Sequence, residues 1–460
     1  MSSSGDAYTQ SQYGGWNPLN NKLQPSCIVQ PATTEDVSKA MKAIFRNKSN
    51  YAVRSGGHTG MDGWDSVQGG VLIDFAKMTD FSYDARSKSV SLQPGLRWGD
   101  VYNQSAAHGV APMGGRVYHV GTGLLLGGGL SNLSPQQGYA CDGIMSADVV
   151  LVDGSVRKGI TAKSHPDLMR AIKGGGGRFG IVTKYQLRAY DTGTDAEKRW
   201  WGGTLLFTLP DSIDQYVKVT ERFIAKKDDP KASMLANVGM LKLETGPTYI
   251  GTGFHFYEGN ALQFTEAYKD FLAIPGAIPQ FGPLSYLDVT KTTPLGWSNT
   301  QAYKWLGGSL YPKDADTSSS TLPTSFYDAW VHIKEFIQNN EDSLQSAFFS
   351  ITPVKTTQIE KGYENGANAI SPPRGKSYMH WLLSAILNPG TTSFPAKLDE
   401  ERLALLTKIP SDQGLPLFLN EVDATQPAIK SYGWYNELKK AYAKYDPTGF
   451  SLKYQKGPEL

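Results

Sequence analysis

Two glycine clusters constrain this chain more than any other feature. The first lies in Arg54-Ser55-Gly56-Gly57-His58, the second in Gly121-Thr122-Gly123 with Gly127-Gly128-Gly129. Without a Cβ, the backbone of such loops approaches a partner closely and takes positive φ at low cost, and successive bare N–H groups form a concavity for anions. A pair of these loops suits the pyrophosphate of a dinucleotide. His58 ends the first loop, against that guest, and an imidazole that is neutral over much of the physiological range offers a nucleophilic nitrogen.

A third cluster needs separating from these. Gly175, Gly177 and Gly180 meet the G-x-G-x-x-G spacing, but a Rossmann fingerprint follows a strand and opens a helix. Here a predicted helix over Asp167 to Ile172 precedes the glycines and the β-branched run Ile181-Val182-Thr183 follows, so the stretch reads as a helix-to-strand turn.

Around the glycines, strands are expected at Cys27 to Pro31, Tyr51 to Arg54, Gly70 to Phe75, Ser89 to Pro94, Ala147 to Leu151 and Gly180 to Arg188. Helices are expected from Thr34, as N-cap, to Phe45, and from Trp98 to His108. From Trp200 onward the texture changes. Runs at Gly202 to Thr208, Thr248 to Tyr257, Ala347 to Pro353 and Ser377 to Leu387 alternate with helical stretches at Ser212 to Lys226 and Phe326 to Asn339, as in an antiparallel sheet backed by helices. A strand at Leu417 to Asn420 and a helix at Trp434 to Tyr445 follow. The opening residues read as a disordered-looking extension.

At 460 residues the chain suggests two domains or more. Its 45 Lys and Arg balance 43 Asp and Glu, which gives no field to steer it to nucleic acid or an anionic membrane, so a small-molecule partner is expected. No stretch approaches the roughly 18 to 20 apolar residues of a membrane span. The cysteines, Cys27 and Cys141, lie too far apart in sequence to suggest a metal site. The polar opening Met1-Ser2-Ser3-Ser4-Gly5-Asp6 lacks the basic start and apolar centre of a secretory signal.

Several motifs, taken together, carry a resemblance. Arg54-Ser55-Gly56-Gly57-His58, Gly70-Val71-Leu72-Ile73-Asp74, Pro94-Gly95-Leu96-Arg97-Trp98-Gly99-Asp100, Gly114-Gly115-Arg116, Leu126-Gly127-Gly128-Gly129-Leu130-Ser131, Gly138-Tyr139-Ala140-Cys141-Asp142, Gly174 to Thr183 and the tail Tyr445-Asp446-Pro447-Thr448-Gly449 occur in this order. They resemble the fungal-type flavin-linked oxidases of the berberine-bridge-enzyme-like group, in the vanillyl-alcohol-oxidase superfamily. The resemblance is specific over the first 190 residues or so and the last 45, and weak between them.

The resemblance implies an α+β fold: an N-terminal extension (1–24), a two-subdomain PCMH-type FAD-binding domain (25–200), a substrate domain with an antiparallel sheet backed by helices (201–405), and a C-terminal segment (406–460) that returns to the FAD domain. It implies FAD contacts from Arg54, Ser55, Gly56, Gly57, His58 and Thr59, from Gly115, Val120, Gly121, Gly123, Gly127, Gly128 and Asn132, and from Gly180, Ile181 and Val182 toward the adenine end. Asn420 is expected at the isoalloxazine edge. His58 is implied to bond the flavin 8α-methyl carbon, which raises the reduction potential. Relatives with a second tether carry a cysteine just before the next loop. Gly115 to Gly121 holds none, so a single tether is expected. Arg178 replaces the small polar residue usual in its motif.

Four residues are candidates for catalysis. His119 lies where the chain is expected to pass the flavin, and a packing role suits it equally. Glu421 stands where relatives often have tyrosine; it is either a base with raised pKa or an edge-strand acid. Tyr378 and His380 share one face of a strand and line either the pocket or the core. The implied reaction passes a hydride from an alcohol, an amine or a secondary-metabolite intermediate to flavin N5, and then reduces dioxygen to hydrogen peroxide. Two alternatives stay open: a flavin-containing cyclase that closes rings by orienting a reactive chain, and a ligand-binding protein with an idle flavin. Exported relatives often carry a cysteine where this chain has Lys48-Ser49-Asn50, which favours a reducing, intracellular compartment.

Overall fold

The computed structural model describes residues 5–226, 228–293, 300–313, 325–391 and 393–460. Short β-branched runs build its first half. Cys27–Val29, Tyr51–Arg54 and Val71–Asp74 form a parallel sheet with Val71–Asp74 in the centre, and the helix Thr34–Asn47 crosses over between the first two. That helix is capped one residue earlier than expected. The Thr33 hydroxyl accepts from Asp36 N at 3.1 Å and the Asp36 carboxylate accepts from Thr33 N at 3.1 Å, a reciprocal capping box. Thr34 instead bonds Thr183 through its hydroxyl, at 2.9 Å.

An antiparallel sheet forms the second subdomain, in the order Phe81–Asp84, Ser89–Leu92, Ile181–Asp191, Ile144–Val150, Val156–Ile160. Pro166–Ile172 is the helix before the third glycine cluster and Ile181–Asp191 the strand after it.

The second half is one seven-stranded antiparallel sheet, ordered Ile278–Leu284, Trp200–Phe207, Gly246–Glu258, Ala232–Leu243, Leu344–Val354, Tyr378–Leu387, Tyr303–Leu310. Three of these strands, Ala232–Leu243, Ile278–Leu284 and Tyr303–Leu310, are absent from the sequence expectation. Strand alternation sends Ala347, Phe349 and Ile351 into a core beneath Pro210–Ala225, Ala261–Leu272, Phe326–Asn339 and Ala396–Lys408. The intervening Ser346, Phe348 and Ser350 face the first half.

The ends of the chain depart from expectation in two places. The opening segment is helical at Asp6–Gln12 and Pro18–Asn21; Tyr8 Oη donates to Pro25 O at 2.6 Å, Asn20 Nδ2 donates to Asp65 Oδ1 at 2.7 Å, and Arg54 donates to the Ser11 carbonyl. These are long-range polar contacts that leave no periodic trace. Leu417 to Asn420 is no strand but leads into a 3-10 turn at Leu419–Glu421, where Glu421 N donates to Phe418 O at 2.8 Å. Beyond it, Tyr435–Tyr445 returns to the first half, with Tyr445 Oη donating to Asp167 at 2.9 Å.

Candidate active site

A cavity of about 730 Å³ runs between the glycine loops and the open face of the seven-stranded sheet, within the size range of ligand pockets. Its first wall is backbone. A Cβ on Gly56 would lie 2.5 Å from Gly121 N, and one on Gly121 would strike Gly56 in return, so the two loops meet only because both positions are glycine. Ser55 fastens the contact: its hydroxyl donates to Pro94 O at 2.5 Å and accepts from Gly123 N at 3.4 Å. Gly57 takes a φ of 64°, left-handed backbone that favours glycine.

This geometry presents His58 to the cavity. Its ring stacks on Trp16, with centroids 3.9 Å apart and planes 9° from parallel, and Nε2 is buried without a hydrogen-bond partner among the described residues. The ring keeps some open surface and lines the cavity. Burial, aided by the Arg97 charge, pushes the imidazole down to about 3, so it is neutral. The loop is also held from the sheet side: Tyr303 Oη donates to Thr59 O at 2.7 Å, and Trp305 fills the space a Cβ on Gly60 would need.

At the other end, Arg178 gathers the C-terminal tail onto the cavity. Its guanidinium donates to Pro458 O at 2.9 Å, Ser451 O at 2.5 Å and Gln455 O at 2.7 Å, and Gln455 to Pro458 join the lining. These contacts account for an arginine in a motif where a small residue is usual.

At the junction of the two walls, Asn420 locks the second glycine loop: Oδ1 accepts from Gly129 N at 3.0 Å and Nδ2 donates to Leu124 O at 3.2 Å. The turn then projects Glu421 toward Arg116, whose Nη2 lies 3.8 Å from Glu421 Oε1 and 3.1 Å from Thr352 Oγ1. Burial raises the Glu421 carboxyl above the ordinary glutamate value, with Arg116 opposing, and burial lowers the Arg116 guanidinium. The opposite floor comes from alternate strand positions, including Asn237, Thr252, Ser350 and Ser384, with Phe254 and Phe348 between them.

Of the residues expected at the site, Ser55, Gly56, Gly57, His58, Thr59, Gly115, Val120, Gly121, Gly123, Gly127, Gly180, Ile181, Val182, Asn420 and Glu421 line this one cavity. Six do not. Arg54 is buried behind the first loop, paired with Asp74 at 3.0 Å. Gly128, with φ 107°, turns away to pack under Ile370, and Asn132 accepts from Ser233 Oγ at 3.3 Å. His119 is half-buried beside Tyr118 and contributes its carbonyl to Arg97 Nη1 at 2.5 Å. Tyr378 and His380 lie one layer behind the lining: Tyr139 Oη bonds Tyr378 Oη at 2.7 Å and His380 Nε2 at 2.8 Å, while Ser309 Oγ meets His380 Nδ1 at 2.8 Å. Burial pushes His380 down to about 3, and its hydrogen bonds are all spent inside this cluster. Trp16, Arg116, the tail and the sheet floor escape sequence reasoning. Cys27 and Cys141 are both free thiols, and Cys141 is buried.

The residues present fit a flavin dinucleotide. Two side-chain-free loops in contact supply bare amides, an unpartnered neutral imidazole nitrogen lies beside them, and the cavity continues from there to the sheet. Comparison with known proteins agrees. The profile of an FAD binding domain family matches residues 25–159. The FAD-dependent monooxygenase sdcF of Emericella nidulans is 35% identical over 64% of this chain, and the match spans 60% of that relative's length. An uncharacterized FAD-linked oxidoreductase of Arthroderma benhamiae is 31% identical over 432 residues, 91% of this chain and 83% of that protein. In fold, the chain matches berberine bridge enzyme in complex with (S)-reticuline with a TM-score of 0.80 at 17% identity, across 100% of this chain and 96% of the other. The chain belongs to the FAD-linked oxidoreductases, and it has the fold of the berberine-bridge-enzyme-like oxidases.

Proposed function

We propose that this protein is an FAD-dependent oxidase of small molecules, with the cofactor tethered through His58 alone and Glu421 as the general base. The observation that carries the reading is one cavity in which the glycine cradle, the neutral His58 ring and the Glu421 carboxylate open onto a largely apolar floor with a few hydroxyl and amide side chains. When bound there, the cofactor would supply the hydride acceptor for a substrate C–H and the route for those electrons to dioxygen, giving hydrogen peroxide.

The chain's own residues do the rest. The amides of the two glycine loops hold the pyrophosphate, His58 anchors the ring, and Asn420 fixes the loop that supports it. The floor residues Asn237, Ser350 and Ser384 orient an alcohol, an amine or a secondary-metabolite intermediate. Glu421 takes the proton from the reacting oxygen or nitrogen; its raised pKa makes it a better proton acceptor than a surface glutamate.

The test is anaerobic mixing of the yellow protein with a panel of phenolic and enolic alcohols and amines. Bleaching, followed on admission of air by stoichiometric peroxide, is the expected result. Product formed with the colour unchanged contradicts the oxidase reading and indicates ring closure by orientation; neither bleaching nor product on any substrate bound in the cavity indicates an idle flavin.

A further inference from the structure

A second, much smaller chamber lies behind the main cavity. Its volume is about 20 Å³, and Arg116 and Leu130 line both spaces. Ser131 and Ser134 bound it from the first half of the chain, Ser233 and Thr352 from strands of the large sheet, and Gln358 from the first turn of the helix Thr356–Glu364. Gln358 is 1% exposed, and neither Nε2 nor Oε1 has a hydrogen-bond partner among the described residues. A buried primary amide left unpaired is costly, so the chamber calls for an occupant.

Size and lining narrow what that occupant is. A space of this volume holds one water-sized body, too little for a sulfate or a phosphate. No described lining residue is acidic, so a cation finds no counter-charge. The hydroxyl oxygens of Ser134 and Thr352 accept from Ser131 N at 2.9 Å and from Arg116 Nη2 at 3.1 Å, and their hydrogens have no acceptor among the described residues. With the Gln358 NH2 group these hydrogens outnumber the lining's free side-chain carbonyl, which is Gln358 Oε1. A water must donate as well as accept, whereas a halide only accepts. The field has the matching sign: the chamber lies at the positive end of the helix Thr356–Glu364 and against the Arg116 guanidinium. The nearby carboxylates face elsewhere. Glu421 is 3.8 Å from Arg116 in the main cavity. Asp228 pairs with Lys355 at 3.1 Å and caps Thr357 N at 2.8 Å, outside the lining. Lys355, which does line the chamber, is also spent on the carbonyls of Phe223, Ile224 and Lys226.

We infer that this chamber is a halide site, with chloride as its occupant, held by the Gln358 amide and the hydroxyls of Ser134 and Thr352 in the field of Arg116. Hydrogen bonds to an ion are stronger than those between neutral groups, and this ion receives them from both halves of the molecule: Ser134 belongs to the first, Thr352 and Gln358 to the second. It therefore ties the two halves together behind the main cavity. The ion takes no part in the redox chemistry proposed above, and the inference stands apart from the oxidase reading.

The probe is bromide, which scatters anomalously at its absorption edge. Crystals of the full chain soaked in sodium bromide are expected to show an anomalous peak in the chamber, within hydrogen-bond distance of the Gln358 amide. Density there without anomalous signal means a water and overturns the inference, as does bromide found at surface positions alone. In solution, the melting temperature is compared in sodium chloride and in sodium gluconate of equal ionic strength, gluconate being too large to enter. Chloride is expected to raise it by about 2 to 5 °C, as ligand linkage predicts for a site well above half-filled. Gln358→Leu, which removes the amide, and Gln358→Glu, which puts an anion in its place, are each expected to abolish the difference. Equal melting of the parent in the two salts contradicts the site, and so does a chloride advantage that survives in both variants. If Gln358→Leu does not fold, Gln358→Glu and the bromide peak in the parent decide on the same criteria.

Discussion

The two walls of the cavity are built on opposite rules. The flavin side is backbone meeting backbone, with Gly56 and Gly121 so close that neither tolerates a Cβ. The sheet side is side chains on alternate strand positions, where Ser346, Phe348 and Ser350 face the cavity and Ala347, Phe349 and Ile351 the core. The first wall is rigid in composition and suits a constant guest. The second changes its chemistry with single substitutions and leaves the strand in place, so we propose that substrate choice is set there.

That contrast breaks most visibly at the glycines. Gly121→Ala puts a methyl group into the Gly56 backbone, and the purified protein is expected to contain no flavin by absorbance. Flavin retained at the parent level would mean that the two loops separate without cost. Next in size is Glu421→Gln, expected to lower turnover by about 10²- to 10⁴-fold, the usual range for a general base. A base acts ionised, and burial raises this carboxyl above the ordinary 4.5. The parent rate should therefore fall as pH drops through a midpoint above that value, and the glutamine variant should lose this acid limb. A parent profile flat down to the ordinary glutamate range contradicts the assignment.

Smaller effects sharpen the comparison. Trp16→Ala removes the ring stacked on His58, an interaction worth about 0.5 to 1.5 kcal/mol beyond the buried area; it should lower the melting temperature and the fraction of tethered flavin together. A variant that melts earlier with full tethering would make Trp16 a packing residue only. Smallest is Ser384→Ala on the floor, which should raise KM about 2- to 10-fold through one neutral hydrogen bond, with flavin content untouched. A change in flavin content there would blur the division between the walls.

The same division explains what was legible in the sequence. Glycine loops announce themselves because a contact without side chains has one amino-acid solution, and their order along the chain carried the family and the cofactor. Tyr378 and His380 show where such reading stops. They share strand parity with the cavity residues Leu382, Ser384 and Ile386, as period-two alternation requires, but they sit further along the strand, under Tyr139. Parity is a local property; position along a strand depends on what packs over it. Trp16 had no signal, being one aromatic residue in an aperiodic opening segment whose helices are held by distant partners such as Arg54 and Asp65. Glu421 was found by its place in a motif, whereas Arg116 comes from another motif and joins it only through the fold.

The central claim, a flavin held by a bond to His58, is tested most directly by the intact mass of the denatured native protein with peptide mapping. The account predicts a mass above the 460-residue polypeptide by one FAD less the two hydrogens lost when the tether forms, the addition mapped to the peptide containing His58, and its disappearance in His58→Ala. A bare polypeptide mass from yellow, active protein, or an addition that survives in His58→Ala, would contradict it.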